Sequence, residues 1–204
     1  VTETAELPLG DLTAPVLLLA MPQVQDPFFK QSVVLLVHHT AEGSFGFIAN
    51  RPTEIRVDEI LSGLEIEWNG AEQPAAYFGG PVQPQLGTVL FDLASSPLAR
   101  AATIDETTTE IFPGLRVTQH VGDLQAIAKQ PSRRFRFFLG YAGWGEGQLV
   151  EEILRNDWLT APVREELLFQ PDPDEAWSSA LASVGVDPAS LPSWTPADLE
   201  GGAN

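Results

Sequence analysis

The chain has 204 residues, 44% of them hydrophobic and 19% charged, proportions of a folded globular protein and not of a disordered one. It contains no cysteine, which excludes disulfides, thiolate nucleophiles, iron–sulfur clusters and cysteine-ligated zinc. Its 28 acidic against 11 basic residues give a net charge of -17, a field that repels phosphate backbones and anionic lipid, so direct nucleic-acid binding is disfavoured.

No apolar run approaches the roughly 20 residues that a membrane helix needs. The opening VTETAELPLGDL lacks a basic region followed by an apolar one, and the cytoplasm is the expected location. The segment Pro15 to Pro22 then reads as a short buried strand bracketed by prolines, and Gln25 to Lys30 as a turn or short helix. Ser32 to His39 and Ser44 to Asn50 are two β-rich runs separated by Thr40 to Gly43, which predicts a hairpin. Pro52 ends the second strand, and Val57, Ile60, Leu61 and Leu64 repeat at i, i+3, i+4, i+7, predicting one short helix.

Ala75 to Phe78 is a predicted strand that runs into Gly79-Gly80-Pro81-Val82, a sharp backbone feature, and Leu86 to Leu93 is a further strand. A short strand is expected around Leu115 to Thr118, a helix over Gly122 to Lys129, and an aromatic strand over Arg134 to Gly140. A helix over Gln148 to Arg155 carries Leu149, Val150, Ile153 and Leu154 on one face. Glu166 to Phe169 is read as a last strand and Asp174 to Val184 as a helix with Trp177 and Leu181 at i, i+4. Strands come first in hairpins and later alternate with helices, which predicts an α+β domain over residues 1–187 with a mixed sheet and flanking helices. Residues 188–204 are expected to be a flexible, acidic tail; from Pro171 onward Asp172, Asp174, Glu175, Asp187, Asp198 and Glu200 face no Lys or Arg.

Gly140, Gly143, Gly145 and Gly147 lie between a strand and a helix, the setting in which backbone amides cradle phosphate. The spacing matches neither G-x-G-x-x-G nor G-x-x-x-x-G-K-[ST], and Glu146, Glu151 and Glu152 favour the helix dipole over an anionic ligand. A tight turn with Trp144 packed into it is therefore expected. Glu151 and Arg155 make an i, i+4 pair, and Asn156 suits the helix end.

The histidines are His38, His39 and His120. Neighbours on a strand point to opposite faces, so His38 and His39 share a metal only if a bulge intervenes. A site would need His120 with Asp26 or Asp92, and no metal is assigned. The segment Glu42-Gly-Ser44-Phe-Gly46 is not a nucleophile elbow, because Ser44 begins a hairpin strand. Arg133, Arg134 and Arg136, interleaved with Phe135, Phe137 and Phe138, read as a half-buried strand with a solvated basic edge. Arg51, beside Asn50 and Pro52, is suited to fixing a carboxylate or anionic ligand.

Taken in order, Asp26-Pro27-Phe28-Phe29, Ser32-Val33-Val34, Gly43 to Gly46, Asn50-Arg51-Pro52, Gly79 to Val82, Gly140 to Trp144 and Gly147-Gln148-Leu149 resemble the AlgH/YqgE family of bacterial proteins. The resemblance spans roughly Leu12 to Trp158. It implies an α+β domain with a strongly bent sheet, part of it closing toward a small barrel, with helices outside. It implies no catalytic mechanism, and the family's transcriptional-regulator label comes from the genetics of alginate production. Members usually carry Glu-His where this chain has His38-His39, which argues against a fixed Glu/His catalytic pair.

These motif residues shape backbone and surface but supply few acids, bases or nucleophiles. The expected function is that of a non-enzymatic cytosolic protein that binds a protein partner or small ligand, without a cofactor, any regulatory role being indirect. The candidate surface comprises Asp26, His39, Asn50, Arg51, Gly79, Gly80, Pro81, Tyr141, Trp144 and Gln148. The alternatives are a hydrolase or other enzyme using a pocket near His39 and Asp26, and a transcriptional regulator.

Overall fold

The computed structural model of the chain describes residues 12–100, 104–131, 134–170 and 172–192. In chain order these form β1 Val16–Ala20, β2 Val33–Thr40, β3 Gly43–Ile48, β4 Pro52–Arg56, α1 Val57–Gly63, β5 Ala75–Phe78 and β6 Val82–Asp92. They continue as α2 Ile104–Thr107, β7 Thr108–Phe112, β8 Leu115–Thr118, α3 Val121–Lys129 and β9 Phe135–Trp144. The last elements are α4 Gln148–Leu154, β10 Trp158–Ala161, α5 Glu165–Leu168 and α6 Pro173–Ser183. No helix among the described residues is long and apolar enough to cross a membrane.

The strands make one strongly curled sheet in the order β10-β1-β2-β3-β9-β6-β8-β7, and β5 joins it beside β9 with β4 at its flank. Every pairing is antiparallel except β5 with β9, so the sheet is mixed and the domain α+β. The runs VLLLA and VVLLV in β1 and β2 are apolar at consecutive positions because both faces of these central strands are covered. On one face Leu17, Leu19, Val33, Leu35, Phe47 and Phe138 pack against Leu168, Trp177 and Leu181 of α5 and α6. The Trp177 indole N–H donates to the Ala20 carbonyl at 2.8 Å, which ties α6 to β1. On the other face Leu18, Val34, Leu36 and Ile48 pack with Trp144, Leu149 and Trp158 under α4. A third cluster joins Val57 and Leu61 of α1 and Leu124 and Ile127 of α3 to Val89, Phe91 and Phe137 of β6 and β9. Each fully buried large side chain of this kind contributes about 1.5–3 kcal/mol.

β9 is the organising strand. Its first half pairs with β5 and β6 and its second half with β3, so it stitches the two ends of the sheet together. Gly140 sits between the halves at φ +68, where a Cβ would lie 2.5 Å from the Gly80 carbonyl oxygen. Opposite it β6 loops out, since Val82 faces Tyr141 and Gly87 faces Leu139. The glycine-rich segment expected to turn after Gly140 thus remains strand as far as Trp144, and only Gly145 to Gly147 turn into α4.

Further expectations are corrected or extended. The second strand does end before Pro52, at Ile48, but Pro52 itself starts an unexpected strand, β4; β4 pairs with β5 and so has an edge on which the missing N–H costs no ladder bond. Glu165–Leu168 is a helical turn, α5, not a strand, because Leu167 and Leu168 are buried together beneath α6. Leu154 of α4 is 57% exposed and not part of its buried face. β7 and β10 were not anticipated. Arg155 pairs with Asp157 at 2.9 Å where an i, i+4 bond to Glu151 was expected, and Asn156 follows the helix at φ +61. The expected acidic tail falls, from residue 193, outside the described residues; before it, Leu191 packs against the core beside α6.

Candidate functional site

The residues singled out in the sequence fall into three places. At the first, the Asn50 side chain is buried and bridges backbone: its Oδ1 accepts from the Val33 N–H at 2.8 Å and its Nδ2 donates to the Gln31 carbonyl at 3.0 Å. Gln31 has φ +53, and Asn50 holds that bend where the turn enters β2. Arg51 donates to the Lys30 carbonyl, and burial lowers its pKa against the opposing field of Asp174. Asp26 is exposed and its Oδ1 accepts from the Phe28 N–H at 2.8 Å, so it caps the same turn.

At the second place Gly79 and Gly80 cross β9. A Cβ on Gly79 would lie 2.3 Å from the Gly140 carbonyl oxygen, and one on Gly80 2.1 Å from the Tyr141 carbonyl carbon. These glycines allow two backbones to meet, and Pro81 follows on the surface.

The third place is the end of the sheet where the β2–β3 hairpin meets the last residues of β9. Thr40 pairs with Gly43, so the turn is the two residues Ala41 and Glu42, shorter than the four-residue loop expected. Leu36 faces Gly46 but His38 faces Phe45, which makes Val37 a β-bulge. The bulge resets the alternation. His38 stacks on Phe45 at 5.5 Å, whereas His39 turns to the α4 side and brings its Nδ1 to 2.7 Å from the Ser44 Oγ. The two histidines remain on opposite faces, and no cluster of three His, Asp or Glu among the described residues could hold a metal. His120 lies at the start of α3, where its N–H donates to Thr118 Oγ1.

Two depressions flank Ser44. The smaller, about 90 Å³, lies between His39, Ser44, Gly145, Gly147 and Leu149. The larger, about 460 Å³ and wide-mouthed, lies over His38, Glu42, Phe45, Val82, Tyr141 and Gly143. Phe45 is 38% exposed and meets Tyr141 edge to face, with centroids 6.0 Å apart and planes at 73°. Gly143 leaves the floor open, since a Cβ there would touch the Tyr141 ring at 3.4 Å and the Val82 methyl at 3.6 Å. Glu42 stands at the rim, its carboxyl held below the usual range by its own backbone N–H, by Thr40 and by His38.

Trp144 borders this depression but is buried, and its indole N–H donates to Glu152 Oε2 at 2.8 Å, as does that of Trp158. Gln148 donates to the other oxygen of Glu152 at 2.9 Å and accepts from the Gly145 N–H at 3.0 Å. The polar groups of Trp144, Gln148 and Glu152 are thus engaged within the protein. Arg136 departs from the expected solvated edge: it is sandwiched 4.4 Å from the Tyr77 centroid and 5.7 Å from that of Phe169, donates to the Gln170 carbonyl, and burial lowers its pKa. Arg134 pairs with Glu165 at 2.5 Å, and Arg133 lies outside the described residues.

Sequence reasoning named Gly143 only among the glycines of a possible phosphate turn, did not place Phe45 or Glu42 on the candidate surface, and set Ser44 aside. The hairpin signal was sufficient to place Ser44 opposite His39 once the turn is taken as two residues. Nothing local announces the cavity over Gly143, which exists because β6 arrives beside Tyr141 from far along the chain.

Residues 17–189 match the family model described as AlgH-like. A UPF0301 protein of Methylococcus capsulatus is 38% identical over 173 residues, covering 83% of this chain and 88% of the relative. One from Myxococcus xanthus is 38% identical over 179 residues, covering 87% and 94%. The solution structure of the AlgH protein from Pseudomonas aeruginosa superposes with a TM-score of 0.68 at 31% identity, covering 100% of this chain and 99% of that one. The crystal structure of a Corynebacterium diphtheriae protein, at 22% identity and a TM-score of 0.67 over 84% of this chain and 86% of its own, shares the fold.

Proposed function

The chain belongs to the AlgH-like family, and from that premise we propose that it is a cytoplasmic binding protein and not a catalyst, with its recognition surface at the hairpin end of the sheet. One observation carries this reading. Asn50, Arg51, Trp144 and Gln148 spend their polar groups on the protein itself, while Phe45, Tyr141 and Glu42 border an open depression of about 460 Å³. Solvent-facing aromatic area with a few polar groups at its rim is what recognition surfaces use. A regulatory role would then run through the bound partner, in keeping with a net charge of -17 that repels nucleic acid.

The test is a photo-crosslinking residue placed at position 45, compared with one at the more exposed position 154 on α4, in living cells. A discrete adduct at 45 that is absent at 154 and lost with Tyr141→Ala supports the reading. Adducts at both positions, or at neither, sink it.

A second reading, acyl transfer, is favoured by the 2.7 Å contact between His39 Nδ1 and Ser44 Oγ. Among the described residues no carboxylate bonds the other ring nitrogen of His39, so the orienting third group of a triad is missing. If a fluorophosphonate probe labels the protein and Ser44→Ala abolishes the label, this second reading replaces the first.

A further inference from the structure

The depression over Gly143 has a chemical preference written in its walls. Phe45 and Tyr141 meet at 73° and form two sides of a corner, and His38, which also lines the depression, stacks on Phe45. Ring faces carry negative quadrupole density, so the ring faces that open on the depression attract a cation. Glu42 stands at the mouth, and no lysine or arginine is among the residues lining it. The surrounding field is that of a chain with net charge -17, which concentrates cations at its surface and speeds their arrival. The absence of a side chain on Gly143 leaves the corner open down to the Tyr141 ring.

We infer that this corner is an organic-cation site, in which Phe45 and Tyr141 receive the ammonium or guanidinium head of a lysine or arginine side chain presented by a basic partner. The inference rests on the binding reading above and names its ligand chemistry. The wide mouth favours a side chain projecting from a partner, because a site for a free small molecule encloses most of its ligand's surface. Glu42 then faces the partner's remaining positive charge at the rim, where a carboxylate steers association more than it adds affinity.

The experiment uses the full chain, isotopically labelled, titrated with an acetylated and amidated lysine-rich heptapeptide while backbone and aromatic NMR shifts are followed. Controls are the same peptide with glutamine, the same peptide with glutamate, and tetramethylammonium chloride. Shifts at Phe45, Tyr141 and Gly143 with the lysine peptide, at least tenfold weaker with glutamine and absent with glutamate, are expected. Gly143→Leu, which fills the corner opposite Phe45 while keeping both rings, is expected to abolish them, and Phe45→Ala to weaken them at least fivefold. Equal shifts with the glutamine or glutamate peptide leave a binding surface in place but overturn its cation preference. Tetramethylammonium binding as tightly as the peptide overturns the partner-borne source. Silence of the hairpin with every probe overturns the cation site, while crosslinking at position 45 separately decides the broader reading.

Discussion

The indole of Trp144 and the carboxylate of Glu152 are joined by a 2.8 Å hydrogen bond, and the same oxygen accepts the indole N–H of Trp158. The two rings meet edge to face at 5.8 Å, so one half-buried acid on α4 fixes the end of β9 to β10. The carboxylate serves as an internal acceptor.

Glu152→Ala leaves two indole donors without an acceptor, and an orphaned buried donor costs about 1–3 kcal/mol. A loss of roughly 2–4 kcal/mol is expected in urea unfolding, accompanied by a change in tryptophan emission. Glu152→Gln, which keeps a carbonyl acceptor, should lose less than half as much. Equal losses for both variants would show that the charge, and not the acceptor, matters.

Asn50 tests whether its motif is structural. Removing the amide by Asn50→Ala strands the buried Val33 N–H and releases the Gln31 carbonyl of the exposed turn. Destabilisation of about 2–3 kcal/mol is expected by chemical denaturation, with crosslinking at position 45 unchanged in the folded fraction. Loss of crosslinking without loss of stability would move Asn50 into the binding surface.

The glycines separate by geometry. Gly79→Ala drives a Cβ to 2.3 Å from a backbone oxygen of β9, so a loss of about 3 kcal/mol or more is expected. Gly147→Ala meets nothing within 4 Å and pays only for its φ of +68, about 1 kcal/mol. Thermal unfolding of the two variants side by side checks the order, and comparable melting temperatures would contradict the strand crossing.

Arg136 is a desolvated cation held by two rings and one carbonyl, and among the described residues its buried Nε has no partner. Replacing a buried charge by an apolar chain of similar length is often neutral. Arg136→Met is therefore expected to stay within about 1 kcal/mol of the parent in urea, and Arg136→Lys, which loses the planar stack, to be the less stable of the two. No mobility shift of DNA is expected at low salt. A shift that weakens with added salt and with Arg134→Ala would return the basic segment to function.

What the sequence alone determined is what local pattern determines. The β2–β3 hairpin, the i, i+3, i+4 stripe of α1 and the helices over 121–129 and 173–183 were legible because each rests on neighbours within a few residues, and the α+β class and the family likeness because they follow from the order of such segments along the chain. Glu165–Leu168 shows where this stops: a four-residue apolar run is equally a strand or a helical turn until α6 decides which face it buries. Only the tertiary structure decided that β9 continues through Gly140, since Gly80 and Val82, some 60 residues earlier, supply the backbone it pairs with. The bulge at Val37 likewise decided which faces of the sheet His38 and His39 take relative to Leu36 and the strand before it. One extra residue in a ladder exchanges the faces of every side chain after it, and no local periodicity records that exchange.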